Sequence, residues 1–547
     1  MKATQQPGVV FQPQVQRRLQ RGIQTMVSAI TPTLGPLSGG VAIDHINKSV
    51  KLPEFLDDGG VIARRIIQLP NRDEDMGAML VRAMMLRQAE RVGDGIATAA
   101  LLLEAIFNAG VRYLASGGNS MQLRRHLESA LPLILSELDK MVFQLEGQVA
   151  LTDMARSLCH EDDMAALLGE AFDLLGAYGR LEIREDYGRA LRRDYVEGCY
   201  YHTGVFSKAL LPGSSSAEIE SKITLENPAI FLCDFEIDDH KTLFPVLQTA
   251  HTAGIKSLVI ITRSLSDKAV ALLTANNKMD KIKAIAVRLP GLNPTDRMDA
   301  LEDLSRLTGA NPFIQVAGQS LESVTAADFG QARRFWADMK AFGIVGGGGD
   351  PVRLRTHLRN LKTIYHSTHE TDLRKRTQDR IAVLLGTSVT LWIGGFTKTE
   401  IDARKSLAER AALTMRAALE EGVLPGGGIA LLNCRCALEK RLAQAADPDE
   451  RAAYRILIEA LAAPAHAILR NAGYDPGDVM GQLLHESADT GFDVISGRLV
   501  NLCEAGILDS ALVLKTSLRN AVSTAALALT IDSLVHLAKP EMIGKPE

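Results

Sequence analysis

The sequence predicts a multidomain α and α/β protein in which an α/β region interrupts a discontinuous helical domain. Three observations lead there. Helical periodicity runs through the N-terminal part, β-rich runs joined by helical stretches follow after residue 190, and long helical patterns return beyond Asp402. A chain of 547 residues also exceeds what one core usually organises, so several domains are expected.

Taken in order, apolar residues recur at three- and four-residue spacing from Val15 to Ile30, Met76 to Val92 and Ile96 to Leu114. That spacing marks amphipathic or buried helices. The runs ITLENPAIFLCDFEI and IKSLVIITRS are β-rich, and each is tied to a helical stretch such as HKTLFPVLQTAHTAG. Alternation of this kind builds partly parallel sheets. Residues 352 to 383 are charged and helical, TSVTLWIGG reads as a strand, and DARKSLAERAALTMRAALEE is one long helix from Asp402 to Glu421.

Bulk composition removes several function classes. The formal net charge is -4 with acids and bases interspersed, which argues against nucleic-acid binding or a polybasic membrane surface. MKATQQPGVVFQPQ lacks the layout of a signal peptide, and ATAALLLEAIFNAG carries Glu104 and reads as too short to span a bilayer. A soluble, cytoplasmic protein is expected. Cys159, Cys199, Cys233, Cys434, Cys436 and Cys503 form no CxxC pair, so buried thiols are expected rather than disulfides or a zinc site.

The glycine clusters differ in what they offer. In RVGDGIATAA, Gly93-Asp94-Gly95 precedes a helix, whose free N–H groups attract anions, and an intervening Asp tolerates phosphate only with a divalent cation between them. Metal-nucleotide binding and a plain helix corner both remain open. Gly346 to Gly349 lacks a GK[ST] sequel and reads as a flexible turn. Gly426-Gly427-Gly428 lies between two helices, where nucleotide contact and simple capping are equally compatible with the spacing. Cys159-His160-Glu161-Asp162 and the group His366, His369 and Glu370 match no metal-ligand spacing and read as polar faces.

In combination, Thr33-Leu34-Gly35-Pro36, Asp57-Asp58-Gly59-Gly60, Gly93-Asp94-Gly95, LEEGVLPGGG at 419 to 428 and Gly506-Ile507-Leu508-Asp509 fall in one order and spacing. With NPAIFL at 227 to 232, DRMDALEDLSRLTG ending at Gly309 and DFGQARR at 328 to 334, the sequence resembles the GroEL-type (group I) chaperonins over essentially its whole length. The resemblance implies an equatorial helical domain at 1–140 and 421–547, an intermediate domain at 141–196 and 388–420, and an apical α/β domain at 197–387. It further implies sevenfold rings that enclose non-native polypeptide, work with ATP, Mg²⁺ and K⁺, and engage a cochaperonin or standard chaperonin subunits.

Carried over position by position, the resemblance assigns nucleotide contacts to Thr33, Leu34, Gly35, Pro36, Asp94, Gly95, Ile96, Ala97, Thr98, Gly427 and Asp509, metal binding to Asp94 and a catalytic role to Asp58. Members usually read GDGTTTA, whereas this chain has Ile96 and Ala97 before Thr98, two hydroxyls fewer for the same stretch of pocket. Arg410 stands where the family has an aspartate that assists the attacking water. A guanidinium has no acceptor lone pair, so hydrolysis is expected to be impaired or absent, by roughly 10²- to 10⁴-fold for loss of a base. A fully active foldase using another carboxylate, and a non-catalytic partner of a standard chaperonin, are the alternatives.

Other departures concern motion, assembly and client binding. Gly198 fits one hinge, but Gly386-Thr387 replaces a glycine pair at the other; His466 replaces an arginine expected between rings, where Asp475 keeps an acid; and KPEMIGKPE replaces a repetitive Gly-Met tail. Polypeptide binding is assigned to Val205, Phe206, Leu210, Phe244, Leu247 and Val270, with Ala209 on the same apolar surface and Thr274 and Ala275 making that surface smaller than is usual.

Overall fold

The computed structural model describes residues 8–44, 53–186, 188–211, 222–278, 282–368, 370–483 and 486–536. The C-terminal KPEMIGKPE and His369 lie outside them. The chain divides into two compact units, Met1–Asp173 with Thr397–Glu547, and Leu174–Phe396. The second is thus inserted into the first.

The first unit is built on helices Gln14–Ile30, Arg72–Val92, Ile96–Ala115, Ser120–Met141, Pro448–Ala460 and Ala511–Ala528. Val15, Leu19, Ile23, Met26 and Ile30 form the buried stripe of the first, the three- and four-residue repeat seen in the sequence. They share one core with Met84, Leu103, Phe107, Leu457 and Leu518. Helix Ile96–Ala115 has 20 residues, so the expectation that it is too short to cross a membrane is corrected; by length and composition it and Pro448–Asn471 both qualify. Each buries more than half of its most apolar stretch within the protein, as core helices do.

The inserted unit centres on a seven-stranded mixed sheet. Strands 283–288, 257–262 and 229–232 run parallel, antiparallel strands 330–337, 342–347 and 199–201 continue the sheet, and strand 223–226 pairs antiparallel with 330–337. The inner strands read AIFL and SLVIIT because both faces are covered. A separate three-stranded sheet joins 387–393 in parallel to 180–185 and antiparallel to 192–197.

Several local expectations change. Gly346 and Gly347 finish the 342–347 strand rather than forming a flexible turn, and Gly349 donates its N–H to Leu307 O at 3.0 Å, so this backbone lies against the end of helix Pro294–Thr308. The long helix starts at Lys398, where Thr397 caps it through the Glu400 N–H. Four cysteines are buried, but Cys436 is exposed and Cys503 partly so. Burial pushes the Cys159 and Cys434 thiols up to about 12, which suppresses the thiolate. Gly198 and Gly386 both adopt positive φ and are joined by the Gly198 N–H donating to Gly386 O at 2.9 Å.

Candidate functional site

All five short motifs of the first unit converge. Strand 423–425 pairs antiparallel with 508–510 and sets Leu424 opposite Asp509, while the Gly426 N–H donates to Ile507 O at 2.9 Å. The PGGG and GILD segments, far apart in sequence, therefore become neighbours. Helix Ala463–Asn471 then bridges two turns: Asn471 Nδ2 donates to Thr31 O at 2.8 Å and to Leu34 O at 2.9 Å, and the same helix places Ala465 against Gly428 and Ile468 against Gly35. Asn471 holds the TLGP turn in shape, a role that sequence reasoning missed.

Thr33 Oγ1 donates to Ile30 O at 2.8 Å, Pro36 is exposed, and Gly427 adopts φ +65° with open space around it. Beside Gly427 lies an apolar recess lined by Ile429, Ile468, Val479, Phe492 and Val494, closed down to about 10 Å³. That is room for about one water. A roomier cavity, about 440 Å³ between helices 96–115 and 448–460, shares no lining residue with these turns.

The GDG turn rests on a buried polar network. Gln88 is fully buried; its Nε2 donates to Asp94 O at 3.0 Å and to Ser517 Oγ at 2.9 Å, and its Oε1 accepts from Asn520 Nδ2 at 2.8 Å. The one sequence signal was a glutamine on an otherwise apolar face of the 72–92 helix. Gly93 and Gly95 have φ of +76° and +74°, the conformation that side chains rarely adopt. Ile96 and Ala97 are buried, and Ile96 Cγ2 and Cδ1 pack beneath Gly59 and Gly60. Their side chains thus do not face a ligand, contrary to the contact expected of them; only helix-start N–H groups and the half-buried Thr98 remain available there. Filling the floor under the DGG turn is the physical reason for an isoleucine.

Asp58 is the N-cap of helix Gly59–Arg65. Its Oδ1 accepts the Gly60 N–H at 2.7 Å, and its Oδ2 forms an ion pair with Arg410 Nη1. Both side chains are largely shielded, 11% exposed for Asp58 and 27% for Arg410. The Lys398–Glu421 helix delivers Arg410 because Thr414 Oγ1 donates to Val92 O at 3.2 Å and Arg404 pairs with Glu161 at 2.8 Å. The Cys159–Asp162 segment, read as an ordinary polar face, borders the site instead. His160 caps helix Gly147–Cys159 at φ +51°, and its imidazole acts electrostatically on the Asp94 carboxyl.

Asp94 is open to solvent in the single chain, yet protein atoms crowd its recess. That desolvation raises its carboxyl above the usual range, with the Gly95 N–H and Arg410 opposing and Asp58 reinforcing. Burial, then repulsion from Asp94, pushes Asp509 up to about 7. Between the ordinary value near 3.8 and about 7, the folded chain keeps a proton that the unfolded chain has released. Stability from this pair is therefore greatest at the acidic end of that window and falls as pH rises through 7. Calorimetric Tm should fall less steeply from pH 5.5 to 8 in Asp509→Asn than in the wild type; equal slopes would refute the coupling. Among the described residues no three His, Cys, Asp or Glu side chains form a metal cage. Mg²⁺ held by one carboxylate and a ligand's own phosphates requires none, so Asp94 fits.

The apical positions part company with expectation. Val205, Leu210, Leu247 and Val270 are buried in the core of the inserted unit. Val205 bridges to Val287, and the Phe206 N–H donates to Ala286 O at 3.4 Å, so this loop is stitched to a sheet strand. Phe206 is half-buried under Arg288, and Phe244 at 46% exposure is the one residue of the six presented to solvent. His466 is half-buried, and desolvation followed by Arg470 and Arg435 holds its pKa below the ordinary value, so it does not mimic an arginine. Asp475 is exposed and accepts the Gly477 N–H at 2.7 Å.

A helical unit interrupted by an α/β unit, with its glycine- and aspartate-bearing turns gathered at one site, is the architecture of a chaperonin subunit. The chain belongs to the TCP-1/cpn60 chaperonin family, whose model matches residues 26–539. Its fold is similar to that of the chaperonin gp146 from the bacteriophage EL 2 (Pseudomonas aeruginosa), crystallised in the presence of ATP-BeFx. Two crystal forms give TM-scores of 0.68 and 0.61 at 18% and 19% identity, each covering 97% of this chain and 99% of that one.

Proposed function

We propose that this chaperonin-family chain binds ATP with Mg²⁺ in the pocket of the helical unit, holds non-native polypeptide on the inserted unit, assembles into rings and hydrolyses ATP slowly. The observation that carries the reading is the ion pair of Arg410 with Asp58 inside a pocket that otherwise keeps all five turns. The turns at Thr33–Pro36 and Gly427, with the start of helix Ile96–Ala115, supply N–H groups for phosphates. Asp94 would hold Mg²⁺, which neutralises phosphate charge; Asp509 would accept from a ribose hydroxyl; and the recess beside Gly427 suits a planar base once opened. Arg410 offers only donors, so no group at its position can take or orient a water proton.

The three-domain division expected from the resemblance belongs to this reading, with 141–196 and 388–420 as the moving part. So do a cytoplasmic location, sevenfold rings and a cochaperonin or standard chaperonin subunits as partners. A calorimetric titration with Mg-ATP, in K⁺ and again in Na⁺, read beside phosphate release and particle mass, tests the whole. Saturable binding, phosphate release near background and a ring-sized particle are expected. Rapid release overturns slow hydrolysis, no binding overturns the nucleotide role, and a monomer overturns the ring.

The polypeptide role has its own test. Phe244→Ser should lower capture of a chemically denatured model protein several-fold with little change in Tm, because its ring is already substantially solvated. Unchanged capture would remove Phe244 from the client surface.

A further inference from the structure

We infer that Arg410 is the residue by which this pocket distinguishes a triphosphate from a diphosphate, and that it does so by exchanging Asp58 for the terminal phosphate. The inference rests on the nucleotide reading above and concerns what the guanidinium does there.

Three features of the contact lead to it. First, Arg410 reaches Asp58 through Nη1 alone, and among the described residues its other N–H groups have no protein acceptor. An arginine brings five donors in a planar fork, so most of this one's hydrogen-bonding capacity is unspent beside a site built for anions. Second, the backbone is anchored while the side chain is not. Arg410 lies within helix Lys398–Glu421, its carbonyl accepts from Thr414 Oγ1 at 3.2 Å, and that carbonyl abuts Gly93. A rotamer change therefore moves the guanidinium without disturbing the helix. Third, Arg410 acts electrostatically on Asp94, the residue at the start of helix Ile96–Ala115 where phosphates would be received.

The chemistry of exchange follows. Asp58 offers Arg410 one oxygen of a single carboxylate, its other oxygen being taken by the Gly60 N–H. A terminal phosphoryl group offers up to two negative charges and three oxygens, which a guanidinium can grip bidentately. A triphosphate extends one phosphoryl group farther than a diphosphate, so only the former draws Arg410 off Asp58. The carboxylate at 58 is then unpaired in the triphosphate complex alone, and the bound nucleotide is reported to the Lys398–Glu421 helix through one side chain.

Dissociation constants for ADP and for the β,γ-imido analogue of ATP, both with Mg²⁺, test this in the wild type, Arg410→Ala, Arg410→Lys, Asp58→Asn and Arg410→Ala/Asp58→Asn. Arg410→Ala should weaken the triphosphate analogue about tenfold or more, the scale of a lost charge-assisted contact, and leave ADP nearly unchanged. Arg410→Lys should recover part of the loss. Asp58→Asn, which keeps an oxygen for the Gly60 N–H, should tighten the triphosphate analogue only while Arg410 is present. Equal losses for both nucleotides, or an Asp58→Asn effect that is the same with and without Arg410, would overturn the inference alone. Failure of folded wild type to bind either nucleotide would overturn it together with the nucleotide reading.

Discussion

Replacing Arg410 by aspartate is expected to raise steady-state phosphate release by about 10²-fold or more, the usual scale of a positioned acid–base group. Arg410 lies on a helix registered to the GDG turn by Thr414 and Val92, with its own carbonyl against Gly93, so even the shorter carboxylate starts beside that turn. The substitution also replaces an attractive contact with Asp58 by repulsion. Tighter dependence on Mg²⁺ should accompany the gain, since the cation would have to offset the added negative charge. Arg410→Asn is the control, because it removes the ion pair without adding a strong proton acceptor. Equal turnover in the two variants would show that relief of the ion pair, not the carboxylate, limits hydrolysis; no gain in either would place the defect elsewhere.

The largest stability effect should come from Gly95→Val. At φ +74° a β-branched side chain is strained by about 1–3 kcal/mol. An added Cβ would also sit 2.6 Å from both Ser517 Oγ and Val513 Cγ1, too close for either to stay. Overpacking of that kind costs a further ~1–3 kcal/mol, and displacing Ser517 unsettles its bond with Gln88. A total of about 2–6 kcal/mol should appear as a lower midpoint of urea unfolding for the helical unit. Gly427→Ala shares the positive φ but meets nothing within 4 Å, so it should lose much less. Similar losses for the two would show that backbone conformation, rather than packing on Ser517, governs the GDG turn.

The helices at 14–30, 72–92 and 96–115 were legible because burying one stripe imposes a three- and four-residue repeat. The turns were legible because positive φ and close approach call for glycine, as at Gly93 and Gly95. The supports of those turns were not. Gln88, Asn471 and Ser517 lie on helices remote in sequence, and a single polar residue carries no mark of which distant carbonyl it will meet. The Cys159–Asp162 segment matches no metal-ligand spacing, yet His160, in a left-handed cap, acts electrostatically on Asp94. The apolar residues at 205, 210, 247 and 270 illustrate the same limit in reverse. Valine and leucine serve a client surface and a core equally well, and only the stitching of the 205–206 loop to the sheet decides for the core.

What the sequence by itself determined is a helical domain interrupted by an α/β region and, through the resemblance that its five motifs carry, the chaperonin family, since periodicity, glycine placement and motif order are local properties written residue by residue. Only the tertiary structure decided that Ile96 is a floor beneath Gly59 and Gly60 and that Arg410 neutralises Asp58. Both are contacts between segments far apart along the chain. Their energies depend on distance and burial, which exist only once the helices have packed.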